Sequence, residues 1–326
     1  MSTGLRPAWR RLLTPHISAT YLSKRGFHRK NTACQELLEK VGSSFLDGYG
    51  KAIESVSDTE LRGGLDTHPA LFRGFAYEGA AMGLTVLDGL PTTRNHQVAH
   101  FLSGIGREHV YTAYVGIGWA MARLPRLLGP SVRELDPLLR WLVLDGYGFH
   151  QAYFRTRRYV HRQYRPKRLP WPEDGSGSYP GRAVDQGIGR AMWFVGGADT
   201  DLVSDLVYRF PEHRRRDLFS GVGLAATYAG GADEVELRGL TERAAPYFGA
   251  LAQGAAFAAE ARVHGECVVA ETELATEALL GMSPTEASSL TRRLRPQGVE
   301  VHEPLAYESW RQRIADAFSV PRSVDK

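Results

Sequence analysis

An acid, a phenol and an imidazole lie close together in an otherwise apolar stretch of the chain. Asp145, Tyr147 and His150 follow an apolar run that starts at Leu138 and is broken only by Arg140. Burying such groups is unfavourable unless each finds a partner, and an imidazole in an apolar cavity can serve as a general acid or base. We therefore take the three as candidate catalytic residues, against the plainer interpretation of a buried histidine bonded to backbone or tyrosine.

The spacing within this stretch does not make an acid–histidine pair. In a helix, Asp145 and His150 lie about 140° apart around the axis, because each residue turns by roughly 100°. A partner for His150 must then come from another element, and Asp185, Glu78 and Asp47 are the candidates.

A second polar face follows later in the chain. Gln186, Arg190 and Trp193 are spaced to share one side of a helix, either as a polar stripe within that helix or as a wall beside a substrate. In the second interpretation Arg190 orients the substrate or stabilises charge. The predicted catalytic set is His150, Asp145, Tyr147 and Asp185, and the predicted substrate-binding set is Glu78, Tyr77, Trp119, Gln186, Arg190 and Trp193.

Three further acids suggest an alternative chemistry. Asp199, Asp201 and Asp205 resemble the acidic clusters with which terpene cyclases hold magnesium and a prenyl diphosphate, although their spacing is not that of an aspartate-rich motif. Asp199 also stands where a helix cap belongs. The main expectation is an enzyme without metal or cofactor, and the alternative is a magnesium-dependent terpene cyclase in which these acids face an apolar cavity.

The elements that position these residues are predicted to be helices. Glycines recur inside apolar segments, as in 74–83 and 115–120, and such faces let helices approach closely or form a homodimer interface. No segment shows the alternation of a strand, so we predict an all-α, multi-helical globular body. Matches of Leu71-Phe72-x-Gly74 with 218–221 and of Gly116-x-Gly118-Trp119-Ala120 with 254–258 indicate an internal duplication with pseudo-twofold symmetry. The expected division is a basic arm (1–30), a helical half (31–165), a linker loop (166–181) and a second helical half (182–326).

Composition excludes several classes of protein. The net charge of +4 is too small to imply nucleic-acid binding, although residues 1–30 and 151–168 each hold seven Lys/Arg and no acid. Two cysteines without metal or redox spacing favour a reducing cytoplasm, and no apolar run is long enough for a transmembrane segment. Residues 5–13 could form a basic amphipathic helix that contacts a membrane surface or docks on the body. Phosphate-loop, dinucleotide, metalloprotease and nucleophile-elbow motifs are all absent from the sequence.

Seven strings together resemble a bacterial family of enediyne polyketide gene cassettes, the UnbL-type proteins, which form a domain family of unknown function. The resemblance covers residues from about 10 to 295. The strings that carry it are Arg25-Gly26-Phe27, 74–83, 115–120, 136–141, Asp145-Gly146-Tyr147-Gly148-Phe149-His150, 185–190 and 217–231.

This resemblance implies a role in specialised metabolism such as antibiotic biosynthesis, and it supplies no catalytic residue. We expect an enzyme that cyclises, isomerises or moves protons on a long, apolar, polyene-type intermediate. A non-catalytic scaffold for other pathway proteins is a further alternative, which predicts an exposed apolar patch instead of an enclosed cavity.

Overall fold

The apolar stripes of the sequence fold into α-helices, and no strand occurs in the part of the chain that the structure describes. The structure, a computed structural model, describes residues 16–90, 96–124, 135–169, 171, 177–303 and 305–319. Its α-helices are α1 (Leu22–Arg25), α2 (Thr32–Glu54), α3 (Asp58–Asp66), α4 (Ala70–Asp88), α5 (Gln97–Ser103), α6 (Val110–Arg123), α7 (Trp141–Phe154), α8 (Tyr179–Val195), α9 (Thr200–Tyr208), α10 (Glu212–Ala229), α11 (Glu234–Arg243), α12 (Phe248–His264), α13 (Ala270–Leu280), α14 (Pro284–Arg293) and α15 (Ala306–Ser319).

Short polar side chains fix where several helices begin. Each accepts a hydrogen bond from a backbone N–H of the first turn, which otherwise has no partner within the helix. Ser283 caps α14 in a reciprocal capping box with Glu286. The other caps of this kind on α-helices are Asn31, Ser57, Asp199 and Asp233.

The long helices α2, α4, α6, α7, α8, α10 and α12 form one row in which each helix packs on the next. The row curls until its first helices reach its last ones. Arg262 of α12 donates hydrogen bonds to the carbonyls of Ala70 and Leu71 at the start of α4. The thiol of Cys34 on α2 donates to the carbonyl of Gly231, 2.9 Å away, just beyond α10. The curl encloses the inner faces of these helices.

Glycines let neighbouring helices in the row touch through their backbones. A Cβ atom on Gly118 of α6 would lie 2.0 Å from the carbonyl oxygen of Val143 on α7, and one on Gly146 of α7 would lie 2.1 Å from the oxygen of Val115 on α6. Real side chains do not approach so closely. The glycine faces therefore pack helices inside this chain, as predicted from their spacing.

The same crossings recur in the two halves. Gly48 and Gly79 join α2 to α4 by contacts with the carbonyls of Ala76 and Phe45, and Gly189 and Gly221 join α8 to α10 in the same way. The predicted match of the strings at 116–120 and 254–258 is confirmed, because Gly116 and Gly254 make equivalent contacts with α4 and α10.

The predicted match of Gly74 with Gly221 is wrong. Gly74 faces the Tyr228 hydroxyl, whereas Gly221 crosses the carbonyl of Gln186, so the structural counterpart of Gly221 is Gly79. Matching the strings 71–74 and 218–221 aligns α4 and α10 in the wrong register, because both helices carry several glycines on one face.

Both predicted halves contribute to one hydrophobic core, which extends from Leu22 to Ile314. Of the predicted arm, residues 16–30 pack on the body. Leu22 and Phe27 are buried there, and Lys30 forms an ion pair with Glu236. The predicted amphipathic helix at 5–13 lies outside the described residues. Among the described helices, none is both long and apolar enough to cross a bilayer.

We expect Gly116→Ala to destabilise the protein by about 1–3 kcal/mol or more, because overpacking at a rigid contact displaces the backbone. The added methyl group would lie 2.0 Å from the carbonyl oxygen of Glu78. Gly63→Ala is the matched control, since nothing lies within 4 Å of its Cβ position, and this helical substitution should stabilise by up to about 1 kcal/mol. Urea unfolding of both variants tests this, and equal stabilities would contradict the backbone-contact account.

Candidate functional site

The curled row of helices encloses a cavity of about 460 Å³. This volume lies within the range of small-molecule sites, which are mostly apolar with a few polar groups. Its wall is largely aromatic and aliphatic, and it draws residues from α2, α4, α6, α7, α8 and α10 and from the 3₁₀ turn at Ile17–Thr20. The larger side chains of the wall are Val41, Phe45, Leu46, Tyr49, Phe75, Met82, Trp119, Phe149, Tyr153, Phe154, Phe194, Leu224 and Tyr228.

A buried polar cluster lies at the deep end of the cavity. Glu78 and Arg190 line the cavity and are 3% and 5% exposed. Arg190 Nη1 donates to Asp145 Oδ1 in an ion pair just behind the wall. One oxygen of each carboxyl, Glu78 Oε2 and Asp145 Oδ2, and Nε of Arg190 have no hydrogen-bond partner among the described residues. The cluster thus has capacity left to bind a polar group.

The charges of this cluster leave Glu78 as an acid in its protonated form. Burial raises the pKa of Glu78 to about 8, since the charge of Arg190 offsets only part of the desolvation and Asp145 adds to the rise. Burial also disfavours the charged form of Arg190, but the charge and hydrogen bond of Asp145 favour it and keep the guanidinium charged. Burial raises the pKa of Asp145 as well, and the charge and hydrogen bond of Arg190 lower it. Because Asp145 holds the direct bond to the cation of this cluster, we assign the carboxylate to Asp145 and the proton to Glu78 near neutral pH.

His150 lies on another part of the wall. Its ring packs on Trp119 and Phe154, with centroids 5.5 and 4.7 Å apart. Burial lowers the pKa of His150 to about 3, with a smaller contribution from the positive charges of Arg123, Arg155 and Arg25. Among the described residues, no acid forms an ion pair with its ring. Its Nδ1 is buried without a hydrogen bond among the described residues, so the predicted pairing with Asp185, Glu78 or Asp47 is wrong.

Six predicted site residues do not line the cavity, and Asp145, just behind its wall, is one of them. Of the other five, Tyr77 donates to Asp66, Trp193 donates to the carbonyl of Gly230, and Asp185 makes a two-bond ion pair with Arg214. Tyr147 lies beside Tyr159, and Gln186 is buried beside Tyr307. A polar helix residue next to one that lines the cavity can thus face a different neighbouring helix.

The three aspartates of the metal alternative lie on the outer surface. Asp199 caps α9 by accepting from the N–H of Leu202. Asp201 and Asp205 form exposed ion pairs with Arg243. Within the described residues, no group of three or more His, Cys, Asp or Glu side chains is placed to hold a metal ion. The terpene-cyclase alternative requires these three acids to face an apolar cavity, and they do not.

A second cavity, of about 40 Å³, lies between residues of both predicted halves, among them Val115 and Leu142 of the first and Phe257 and Trp310 of the second. From the equivalent helix crossings, Leu224 and Phe257 correspond to Met82 and Trp119 of the large cavity, and both line the small one. Tyr307 and Trp310 of α15 pack on Phe257, with ring centroids 5.8 and 4.8 Å away. These side chains fill the space that stays open in the first half.

Most of the aromatic wall has no distinguishing signal in the sequence. Phe45 and Tyr49 lie on α2, outside the seven strings, and Tyr228 lies on α10 within the string 217–231. Their helical spacing indicated only buried positions, and a core and a cavity wall have the same pattern. Arg155, which also lines the cavity, belongs to the basic segment 151–168, and Arg123 is the last residue of the apolar helix α6, so neither carries a local sign that it faces a cavity.

Fold and site together define an all-helical protein with a protonated buried acid at the end of an apolar cavity. The chain belongs to the DUF1702 family, described as proteins of unknown function, whose profile matches residues 5–318. No curated protein matches the chain, and no solved structure does either.

The pKa of Glu78 gives a pH dependence of stability with a definite sign. Between its ordinary value of 4.5 and about 8, the folded protein keeps a proton that the unfolded chain loses. The contribution of Glu78 to the free energy of unfolding is therefore complete below about pH 4.5. It declines by about 1.4 kcal/mol per pH unit as the pH rises to about 8. The free energy of unfolding of the native protein minus that of Glu78→Gln should show this decline and level off above pH 8. A difference independent of pH would contradict a protonated Glu78.

The buried ion pair predicts a non-additive pair of substitutions. Arg190→Met leaves the Asp145 carboxylate buried without its cation, which costs about 3–5 kcal/mol. The double variant Asp145→Leu/Arg190→Met removes both charges and should recover most of that loss. Denaturant unfolding of the single and double variants measures the coupling, and additive effects would show that the pair is not coupled.

Proposed function

We propose that the protein is an enzyme that binds a long, apolar, unsaturated intermediate and moves protons along it. The observation that carries this proposal is Glu78, a neutral carboxylic acid that lines a large apolar cavity beside the charged Arg190. A general acid must reach its substrate and be protonated at the working pH, and Glu78 meets both conditions.

Of cyclisation, isomerisation and proton transfer, the acid strength of Glu78 favours isomerisation. A carboxyl with a pKa of about 8 is too weak to protonate an isolated alkene readily, but its pKa suits reversible proton transfer in a conjugated system. Glu78 donates its proton to one carbon, the π electrons shift, and the Glu78 carboxylate removes a proton from another carbon. The sequence is redox-neutral. In the ring-closing variant, the shifted π electrons form a carbon–carbon bond, and the Glu78 carboxylate then removes a proton next to the resulting cationic carbon.

Arg190 and the aromatic wall lower the cost of the charges formed. When Glu78 gives up its proton, its carboxylate forms next to the guanidinium of Arg190, whose charge already favours that form. Positive charge on the substrate meets the faces of aromatic rings, which attract cations. Trp119 and Tyr228 supply such rings at the wall, and Phe45 lies 4.6 Å from Trp119 between ring centroids.

The sequence resemblance supports the class of pathway. UnbL-type proteins belong to enediyne polyketide cassettes, whose intermediates are long and unsaturated, and a cavity of about 460 Å³ suits such a chain. We therefore place the enzyme in specialised-metabolite biosynthesis of this kind. A cavity of about 460 Å³ between the helices disfavours the scaffold alternative. The surface positions of Asp199, Asp201 and Asp205 leave the magnesium-dependent terpene cyclase without support from these acids.

The test is incorporation of deuterium from solvent. Purified protein is incubated in D₂O with conjugated polyene acids and with farnesyl and geranylgeranyl diphosphate, with and without magnesium, and organic extracts are read by mass spectrometry. Because Glu78 exchanges its proton with solvent between turnovers, we expect deuterium on carbon of the substrate. Glu78→Gln should lower the rate about 10²–10⁴-fold, the usual contribution of a general acid.

His150→Ala and Asp201→Asn accompany this variant as comparisons. We expect Asp201→Asn to leave the exchange unchanged, because its side chain pairs with Arg243 at the surface. A magnesium-dependent product that is lost in Asp201→Asn would overturn the proposal in favour of the terpene-cyclase alternative. A polyene that binds in the cavity but acquires no deuterium would also overturn it.

A further inference from the structure

Two arginines line the cavity at its solvent end. Arg123, the last residue of α6, and Arg155, just after α7, are both exposed, whereas the deep residues Glu78 and Arg190 are buried. The cavity therefore has a basic mouth and a closed polar end, separated by aromatic rings.

A third arginine supports the mouth from the N-terminal segment. The guanidinium of Arg25 lies over the ring of Phe154, 4.7 Å from its centroid, and Phe154 lines the cavity. Its Nε atom is buried without a hydrogen-bond partner among the described residues. Arg25, Arg123 and Arg155 all contribute to lowering the pKa of His150, so their positive charge converges on this end of the cavity.

Negative charge is lacking on the described wall. Glu78 is the one acid among the residues that line the cavity, and it lies at the deep end in its neutral form. At that end, the charge of Arg190 is already matched by Asp145. A second anion buried there would lose its hydration without gaining a free cation, which is unfavourable. An anionic group gains more at the mouth, where two guanidinium groups remain accessible to water.

We infer that the ligand is an anionic amphiphile, bound with its unsaturated chain in the cavity and its charged head at Arg123 and Arg155. The inference rests on the proposed function and names its substrate class. Carboxylates and phosphate esters share this chemistry, since arginine binds both through paired N–H donors. The orientation places Glu78 against the chain, far from the head, so the proton moves within the apolar part of the substrate.

The experiment is a fluorescence titration with cis-parinaric acid, a conjugated tetraene fatty acid that becomes fluorescent in apolar sites. Its methyl ester has the same chain and no charge. We expect the native protein to bind the acid about tenfold more tightly than the ester, as suits two partly screened charge contacts. Arg123→Gln/Arg155→Gln should weaken binding of the acid about tenfold and leave the ester unchanged. Added salt should weaken binding of the acid and leave binding of the ester unchanged.

The matched control is Arg157→Gln/Arg209→Gln. These arginines are exposed, one of them in the same basic segment, and neither lines the cavity. We expect this variant to bind the acid as the native protein does. Equal weakening by the control would overturn the inference, because the attraction would then come from the overall charge and not from the mouth.

Competition distinguishes the two kinds of head group. If farnesyl diphosphate displaces cis-parinaric acid at lower concentrations than palmitate, the mouth is assigned to a phosphate ester. The reverse order assigns the mouth to a carboxylate. Equal affinity for acid and ester, unchanged in Arg123→Gln/Arg155→Gln, overturns the anionic head and leaves the deuterium test of Glu78 intact. Failure of both acid and ester to bind overturns the cavity as a ligand site, and the proposed function with it.

Discussion

The structure depends on direct contact between the backbones of neighbouring helices. From α2 to α12, crossings in the row are made by a glycine whose missing side chain leaves room for a carbonyl of the next helix. Gly187, for instance, would place a Cβ 1.9 Å from the oxygen of Asp145. Glycine weakens an isolated helix, and the tight contact over many crossings offsets that cost through dispersion and weak Cα–H···O interactions. These close contacts leave neighbouring helices little freedom to slide along one another.

This constraint explains why the polar residues of the interior are well positioned. Glu78 and Asp145 each precede a crossing glycine, and their own carbonyls are contacted by Gly116 and Gly187. Because the backbone at both acids is held from a neighbouring helix, their side chains meet Arg190 at fixed places. A site built this way needs no flexible loop to bring acid and cation together, and it resists the water that would otherwise separate them.

The two halves share their crossings but not their cavities. In the second half, Tyr307 and Trp310 of α15 occupy the space beside Phe257, whereas the corresponding space beside Trp119 in the first half stays open. Arg190 lines both the large and the small cavity, so it connects them.

The sequence by itself determined the all-α class and the buried glycine faces, and it singled out Asp145, His150 and Arg190, because helical periodicity and the cost of burying charge are local properties. Only the tertiary structure decided that Asp145 pairs with Arg190, that Glu78 keeps its proton, and that Asp185 binds Arg214 outside the cavity. A helix turns by about 100° per residue, so adjacent polar residues face different neighbours. Which neighbour stands there is set by packing between segments distant in sequence, and no local pattern records it.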